Sequence, residues 1–189
     1  MPIFDHFGFV APFYERVIAP RVPEKLIALA GLPAGGRLLD AGGGTGRLAQ
    51  HFCERAGQVV VIDLSSKMLL QAAQKPGLRL AQASSERLPF PDGAFDRVIM
   101  VDAFHHVMDQ PETARELWRV LKPGGRLLIE EPDIRTLVVK LVALAEKMAL
   151  MRSHFLSAER ISALFPDPSA RVQITRESFN VWVCVDKGE

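Results

Sequence analysis

The sequence predicts an α/β protein, a three-layer αβα sandwich on a seven-stranded, mostly parallel sheet with one antiparallel strand in a C-terminal hairpin. Three observations carry that expectation. Short apolar runs alternate with amphipathic helical patterns, the mark of parallel strands buried on both faces beneath crossover helices. One run, Leu38-Leu39-Asp40, enters the glycine-dense turn Ala41-Gly42-Gly43-Gly44-Thr45-Gly46, and the next, Val59-Val60-Val61-Ile62, ends in Asp63. The last two β patterns stand too close together for a crossover, so they pair as an antiparallel hairpin.

The elements follow in order along the chain. Residues 1–23 are rich in Phe and Pro, with a short helical pattern around Tyr14–Ile18, and read as a cap over something else. A helix follows Pro23, with Leu26, Ile27, Leu29 and Ala30 apolar, until Gly31 stops it. Strand 37–41 comes next, then a helix over 45–56 with Leu48, Ala49, Phe52 and Cys53 facing inward, and strand 58–63. A helix from Ser66 to Gln74 is ended by Pro76-Gly77, and a third strand spans Arg79–Ala83. Pro89-Phe90-Pro91-Asp92-Gly93 is a turn-rich connection into strand Arg97–Val101. A helix through Glu112–Leu121 stops at Lys122-Pro123-Gly124-Gly125, ahead of strand Arg126–Glu130. A long helix over 135–151, a shorter one over 157–165 and strands 171–176 and 179–186 complete the chain. The pattern is that of a single domain over 1–189, with an N-terminal cap (1–30) and a ligand-binding core (35–131). A helical segment on the acceptor side (132–170) and the terminal hairpin (171–189) follow. In such a sheet the ligand site lies at the carboxyl ends of the central strands.

Composition narrows the function. The formal net charge is +1 and no block of basic residues suggests a nucleic-acid partner. Cys53 and Cys184 lie far apart in apolar patterns without CxxC spacing, which favours buried thiols over a disulfide or a metal site. No metal is expected. The N-terminus has no Lys or Arg ahead of its first apolar residues, and Asp5 and His6 interrupt it, unlike a secretory signal. The apolar stretch Leu137–Met151 is broken by Lys140, Glu146 and Lys147 and is too short for a transmembrane span. The expected protein is soluble and cytoplasmic.

The glycine loop can be parsed two ways. Gly44-Thr45-Gly46-Arg47-Leu48-Ala49 fits the dinucleotide pattern G-x-G-x-x-G/A, a weak signal alone. Asp40-x-Gly42-x-Gly44-x-Gly46 instead places an acid at the strand tip, where a pyrophosphate would be repelled. That acid suits a ligand bringing an ammonium group and no phosphate, as S-adenosylmethionine does. The glycines let backbone approach the ligand, and a helix N-terminus can receive its carboxylate. Asp63 would accept hydrogen bonds from ribose hydroxyls, a role open to it with NAD as well. The plain alternative for both acids is helix capping or loop ordering.

Several separated segments together resemble the class I S-adenosylmethionine-dependent methyltransferases, and within them the group of ubiquinone and menaquinone C-methyltransferases. They are Leu38–Gly46, Val61–Ser65 with Met68-Leu69, Glu86–Asp96, Phe104-His105-His106-Val107, and Leu117–Ile129 with its Leu-Lys-Pro-Gly-Gly core. The resemblance covers residues 35 to 131 and implies a Rossmann-like fold with S-adenosyl-L-methionine as cofactor and S-adenosyl-L-homocysteine as product. It places Ala41, Gly42, Gly44 and Gly46 along the cofactor, Leu64 and Met68 beside the adenine, and Ser84, Ser85 and Glu86 near the adenine amine. Val101 and Asp102 pass behind the methionine part, and Tyr14, an N-terminal aromatic, either closes over it as the resemblance implies or is a plain core-facing aromatic. Ser84 stands where the family usually has an acid; its hydroxyl can accept the same hydrogen bond without charge assistance.

Methyl transfer to a small-molecule acceptor follows, by in-line displacement on an already activated sulfonium. A phenol or ring carbon would also need a base. His105 and His106 follow strand four, and His154 lies on the segment folding over the site; these are the candidate catalytic residues, against the plain reading of structural or solvated histidines. Glu130 and Glu131 could face the acceptor or cap a helix, and Asp133 looks like a cap. Leu137, Leu141, Leu144, Met148 and Met151 form a helical stripe wider than sheet packing needs. Its surplus could line a lipophilic or aromatic, quinone-like or phenolic acceptor pocket, make a homodimer contact, or sit under the cap. Two rival functions remain: a non-catalytic binder of S-adenosylmethionine or S-adenosylhomocysteine, and an NAD(P)-dependent oxidoreductase. The second lacks a Tyr-x-x-x-Lys pair, since Tyr14 is isolated.

Overall fold

The computed structural model describes residues 24–32, 34–137, 139–140 and 153–189. The N-terminal cap with His6 and Tyr14, and most of the expected helix over 135–151, lie outside the described residues. Seven strands form one sheet in the order β3-β2-β1-β4-β5-β7-β6. They are β1 (Ala34–Ala41), β2 (Ala56–Asp63), β3 (Leu78–Gln82), β4 (Phe95–Val101), β5 (Leu121–Pro132), β6 (Ala170–Glu177) and β7 (Asn180–Lys187). β1 to β5 pair in parallel, while β7 runs antiparallel to both β5 and β6. One reversed strand, reached through the terminal hairpin, is the expected arrangement.

The helices are α1 (Glu24–Leu29), α2 (Ser66–Ala72), α3 (Gln110–Val120) and α4 (Ala158–Ser162). Alternation along each buried strand divides the core between the two faces of the sheet. Leu39, Val60, Met100, Leu127, Ile129 and Val183 pack on one side with Leu117 of α3 and Ile161 of α4. Leu38, Val59, Val61, Ile99, Leu128 and Trp182 pack on the other with Leu26 of α1 and Phe52. Chain order and alternation thus predict the layers well. No helix among the described residues is long and apolar enough to cross a membrane.

Three local expectations are corrected. The helix over 45–56 is a loop followed by one 3-10 turn, Ala49–Phe52, because the glycines ahead of it hold left-handed conformations that no helix can include. Lys122-Pro123-Gly124-Gly125 does not separate a helix from a strand. It lies within the twelve-residue β5, whose register against β4 slips there to absorb the bend. The helix over 157–165 shortens to α4, capped by Ser157.

At the amino ends of β1 and β2 the two backbones approach closely. A Cβ on Gly57 would lie 2.4 Å from the carbonyl oxygen of Gly35. Backbone cannot rotate away as a side chain can, so the strands would have to part. Gly57→Ala is expected to cost about 1–3 kcal/mol, read as a lower urea midpoint with unchanged slope.

Candidate active site

Parallel pairing sets the strand tips in a row. Asp40 is level with Val61 of β2 and Ile99 of β4, so its carboxylate stands at the centre of the sheet's carboxyl edge. Asp63 closes β2, and Asp102 directly follows β4. Between β1 and the 3-10 turn the chain makes three left-handed steps, at Gly42 (φ 70°), Gly44 (φ 55°) and Gly46 (φ 70°). A Cβ on Gly42 would sit 2.8 Å from that of Ala103, and one on Gly43 would sit 2.5 Å from the Asp40 carboxylate. The loop is therefore backbone-lined and admits no side chains at these points.

Asp63 holds that loop. Its carboxylate accepts the Gly44 N–H at 2.9 Å and the Ser65 N–H at 2.8 Å. Ser65 in turn caps α2 by accepting the Met68 N–H at 3.4 Å. Asp63 thus does order the loop, the plain role weighed for it, and its carboxylate still faces the space above Gly44, where a Cβ would lie 3.9 Å away. Leu64 beside it is 59% exposed, while Met68 is buried beneath the loop.

Asp40 is in a different state. Among the described residues no hydrogen bond or ion pair reaches its carboxylate, although it is only 2% exposed. Burial and then repulsion from Asp63 push its pKa from 3.8 to about 7, against a smaller pull from Arg47. Such a group lowers its energy by protonation or by receiving a cation.

The 84–86 segment folds on itself. The Ser84 hydroxyl donates to the Glu86 carboxylate, whose other oxygen accepts the Met108 N–H at 2.8 Å. Burial alone would raise the pKa of Glu86; these bonds outweigh it and hold the group below its ordinary value. Ser84 therefore reaches its neighbouring acid, and Ser85 is buried.

The three histidines do come together, as a seam. His105 is buried, with Nδ1 2.5 Å from Glu131, whose other oxygen accepts the Phe104 N–H at 2.9 Å. Phe155 stacks on the His105 ring at 4.3 Å between centroids, and the His154 N–H donates to the His105 carbonyl at 2.7 Å. Gln110 bridges the carbonyls of Phe104 and His154, and Ser153 Oγ lies 3.3 Å from His106 Nδ1. Burial, reinforced by His105, takes His106 down to about 3. Burial pushes Glu131 up, with His105 opposing. Sequence reasoning had no local signal for the His105–Glu131 pair, because its partners meet only when β4 and β5 do.

Glu130, next to Glu131, points to the opposite face. Its carboxylate accepts from Asn180 Nδ2 at 2.8 Å and Trp182 Nε1 at 2.9 Å. Asp133 accepts the Arg135 N–H and pairs with the Arg135 guanidinium, which holds it below the ordinary carboxylate range; this is the expected cap. A cavity of about 290 Å³ opens beside the glycine loop, with walls from α1, Arg47, the tip of β4 and the β6–β7 turn. Another, of about 380 Å³, lies between Val107–Pro111 and His154–Leu156. His105 and His106 line neither of them. The first cavity escaped sequence reasoning, since its walls come from five separate parts of the chain. Among the described residues no group of His, Cys, Asp and Glu is arranged to hold a metal.

Comparison with known proteins agrees with this geometry. Residues 39–129 match a family described as a methyltransferase domain. The ubiquinone/menaquinone biosynthesis C-methyltransferase UbiE of Pseudomonas putida is 42% identical over 115 residues, 56% of this chain and 45% of that protein. The chain thus spans about half the length of the curated relatives it matches. A solved chain from the complex between the Haloferax volcanii Trm112 methyltransferase activator and a methyltransferase has a TM-score of 0.83 at 18% identity, covering 99% of this chain and 100% of that one. A SAM-dependent methyltransferase from Thermotoga maritima has a TM-score of 0.78 at 23% identity, with 96% and 97% covered. Those two likenesses speak for the fold.

Asp40 makes the ligand-free protein pH-sensitive. A carboxyl whose pKa is raised in the folded state stabilises the fold fully below its unfolded value, and that contribution is lost as pH rises through the folded value. The loss, up to about 4 kcal/mol, accrues from near pH 4 upward and is complete just above the folded pKa of about 7. Urea unfolding should find Asp40→Asn close to wild type at pH 4 and more stable than it at pH 8.

Proposed function

We propose that the chain is a class I S-adenosylmethionine-dependent methyltransferase, which the match of residues 39–129 to a methyltransferase domain and the Pseudomonas putida relative support, and that it transfers the methyl group to a small lipophilic or aromatic acceptor, quinone-like or phenolic. The observation that carries the donor is Asp40, a buried carboxylate at the strand tip that no cation of the described residues pairs. The quinone-type acceptor is supported by the name of the Pseudomonas putida relative and by the apolar stripe over 137–151.

The residues present fit the donor. Asp40 receives its ammonium, and backbone at Ala41, Gly42, Gly44 and Gly46 lies along the methionine part with Val101. Asp63, at the end of β2, accepts from the ribose hydroxyls. Leu64 and Met68 flank the adenine, while Ser84, Ser85 and Glu86 face its amine. Tyr14 keeps the closing role that the resemblance gives it. When bound, S-adenosylmethionine supplies an activated methyl group on a sulfonium, so the chain's own work is positioning and exclusion of water.

The histidines fit a holding role better than proton transfer. His106, with its pKa near 3, is neutral and a weak base at physiological pH. His105 is committed to Glu131, and His154 joins the seam through its backbone. Together they hold residues 153–157 against the turn after β4.

Calorimetry tests this reading. S-adenosylmethionine and S-adenosylhomocysteine are expected to bind and NADH not to. Asp40→Asn should weaken S-adenosylmethionine by about 10- to 100-fold, the loss of one charge-assisted contact. Because the ammonium displaces a proton from Asp40, affinity should rise with pH through 7, and binding at pH 6 should release protons to the buffer. NADH binding without response to the other two compounds would sink the proposal.

A further inference from the structure

S-adenosylmethionine brings a carboxylate as well as an ammonium, and Asp40 meets only the ammonium. The helix expected over 45–56, whose N-terminus would receive the carboxylate, is a loop and a 3-10 turn of four residues, Ala49–Phe52, too short to gather a helix dipole. The glycines' own N–H groups do not stand in for it. Gly43 donates to the Ile62 carbonyl at 3.0 Å, Gly44 to the Asp63 carboxylate at 2.9 Å and Gly46 to the Gly43 carbonyl at 2.9 Å. The carboxylate therefore needs a cation.

The cavity of about 290 Å³ beside the loop offers one. Among the described residues two other than glycine have a positive φ, Asp102 at 50° and Ser178 at 54°, and both line it. Left-handed backbone at such residues persists where its surroundings impose it, and it gathers at ligand sites. Val101, placed along the methionine part, lines the cavity too, and β4 adjoins β1, so the space opens beside the tip that carries Asp40. Two cations share the lining. Lys25 pairs with Glu177 and lies over the Trp182 ring, 4.3 Å from its centroid. Arg47 is half-buried; its carbonyl accepts from Gln50 Nε2 at 2.9 Å, but no hydrogen bond or ion pair of the described residues reaches its guanidinium.

The geometry points to Arg47 as the residue that holds the donor's carboxylate in this cavity and so selects a donor with an intact amino-acid end. This assignment rests on the methyltransferase reading and completes the pairing of the donor's zwitterion. Asp102, Glu130 and Glu177 also line the cavity, so a carboxylate entering it meets like charge. Glu130 is bonded to Asn180 and Trp182 and Glu177 to Lys25, which leaves Arg47 as the lining cation not already set against an acid. The charge of Arg47 acts on Asp40, yet the two form no ion pair, so they stand apart by more than a contact. An α-amino acid suits such a gap, because its ammonium and carboxylate leave one carbon in different directions. A guanidinium also presents two parallel N–H donors to a carboxylate, a geometry that an ammonium lacks.

The test is calorimetry on the full chain with S-adenosylmethionine, S-adenosylhomocysteine and decarboxylated S-adenosylmethionine, which keeps the ammonium and lacks the carboxylate. Failure of S-adenosylmethionine to bind the wild type would end the methyltransferase reading itself, a result separate from those that follow. Wild type should bind S-adenosylmethionine about 10-fold or more tighter than its decarboxylated form. Arg47→Gln should weaken S-adenosylmethionine and S-adenosylhomocysteine alike, by about 10- to 100-fold. The same variant should bind the decarboxylated form as tightly as wild type does, or more tightly, because a cation near its ammonium has gone. Equal weakening of all three ligands would mean that Arg47 only shapes the loop, and would overturn the assignment. So would wild-type affinity for S-adenosylmethionine in Arg47→Gln, or a wild type that does not distinguish the decarboxylated donor.

Discussion

The strand tips depend on one carboxylate bridging two backbone amides. A loop with three left-handed glycines carries the largest conformational freedom to lose on folding, and its backbone is tied by the Gly46 N–H to the Gly43 carbonyl and the Gly43 N–H to the Ile62 carbonyl. Asp63 adds a charged restraint by accepting from Gly44 at one oxygen and from Ser65 at the other. Hydrogen bonds to a charged acceptor contribute about 1.5–3 kcal/mol each, more than the local propensities of such a loop can oppose. The same charge then acts on Asp40 across the loop, adding to the burial that lifts its proton affinity. One residue therefore builds the cradle and sets the electrostatic demand inside it.

The carboxyl end of β5 divides two neighbouring acids between two tasks. Successive strand residues face opposite sides of the sheet, so Glu130 meets Trp182 and Asn180 while Glu131 meets His105 and the Phe104 amide. Neither arrangement is cheap. A buried acid paired with a histidine gains little net stability from the pairing, yet removing one partner strands the other without solvent. What the pair does secure is geometry, since it orients the ring on which Phe155 stacks and so seats residues 153–157. On the other face, Glu130 ties the first residues of β7 to β5 and thereby fixes the turn that carries Ser178 and Phe179.

Much of this was legible in the sequence because the signals were local. The seven strands, the single reversed strand and the layers on both faces of the sheet follow from apolar runs, crossovers and a short final gap, whereas the order of the strands does not. Asp40 and the glycines announce themselves within one short loop, and Asp63 marks the end of the next apolar run. The misread elements share a physical cause: glycine has two meanings. At 42, 44 and 46 it carries left-handed backbone and cancels a helix that Leu48, Ala49 and Phe52 otherwise suggest. At 124 and 125 it looks like a helix stop and instead lets β5 bend through a register slip while remaining a strand. Ser84 was legible as a departure, but not its consequence, which is a hydrogen bond to Glu86 two residues on.

The two halves of the site differ in how they are encoded. The glycine cradle is made by one β–loop–β unit, so its residues lie close together in the chain and read as a motif. The cavity beside it is assembled from α1, the residues after the glycine loop, the tip of β4, β5 and the last turn, contributors that meet only once the sheet has closed. No period or spacing connects Arg47, Asp102 and Phe179; backbone strain at Asp102 and Ser178 connects them, and strain is visible only in the folded chain. Substitution in the final turn alters the cavity wall without touching Asp63, and the cradle it holds stays as it was.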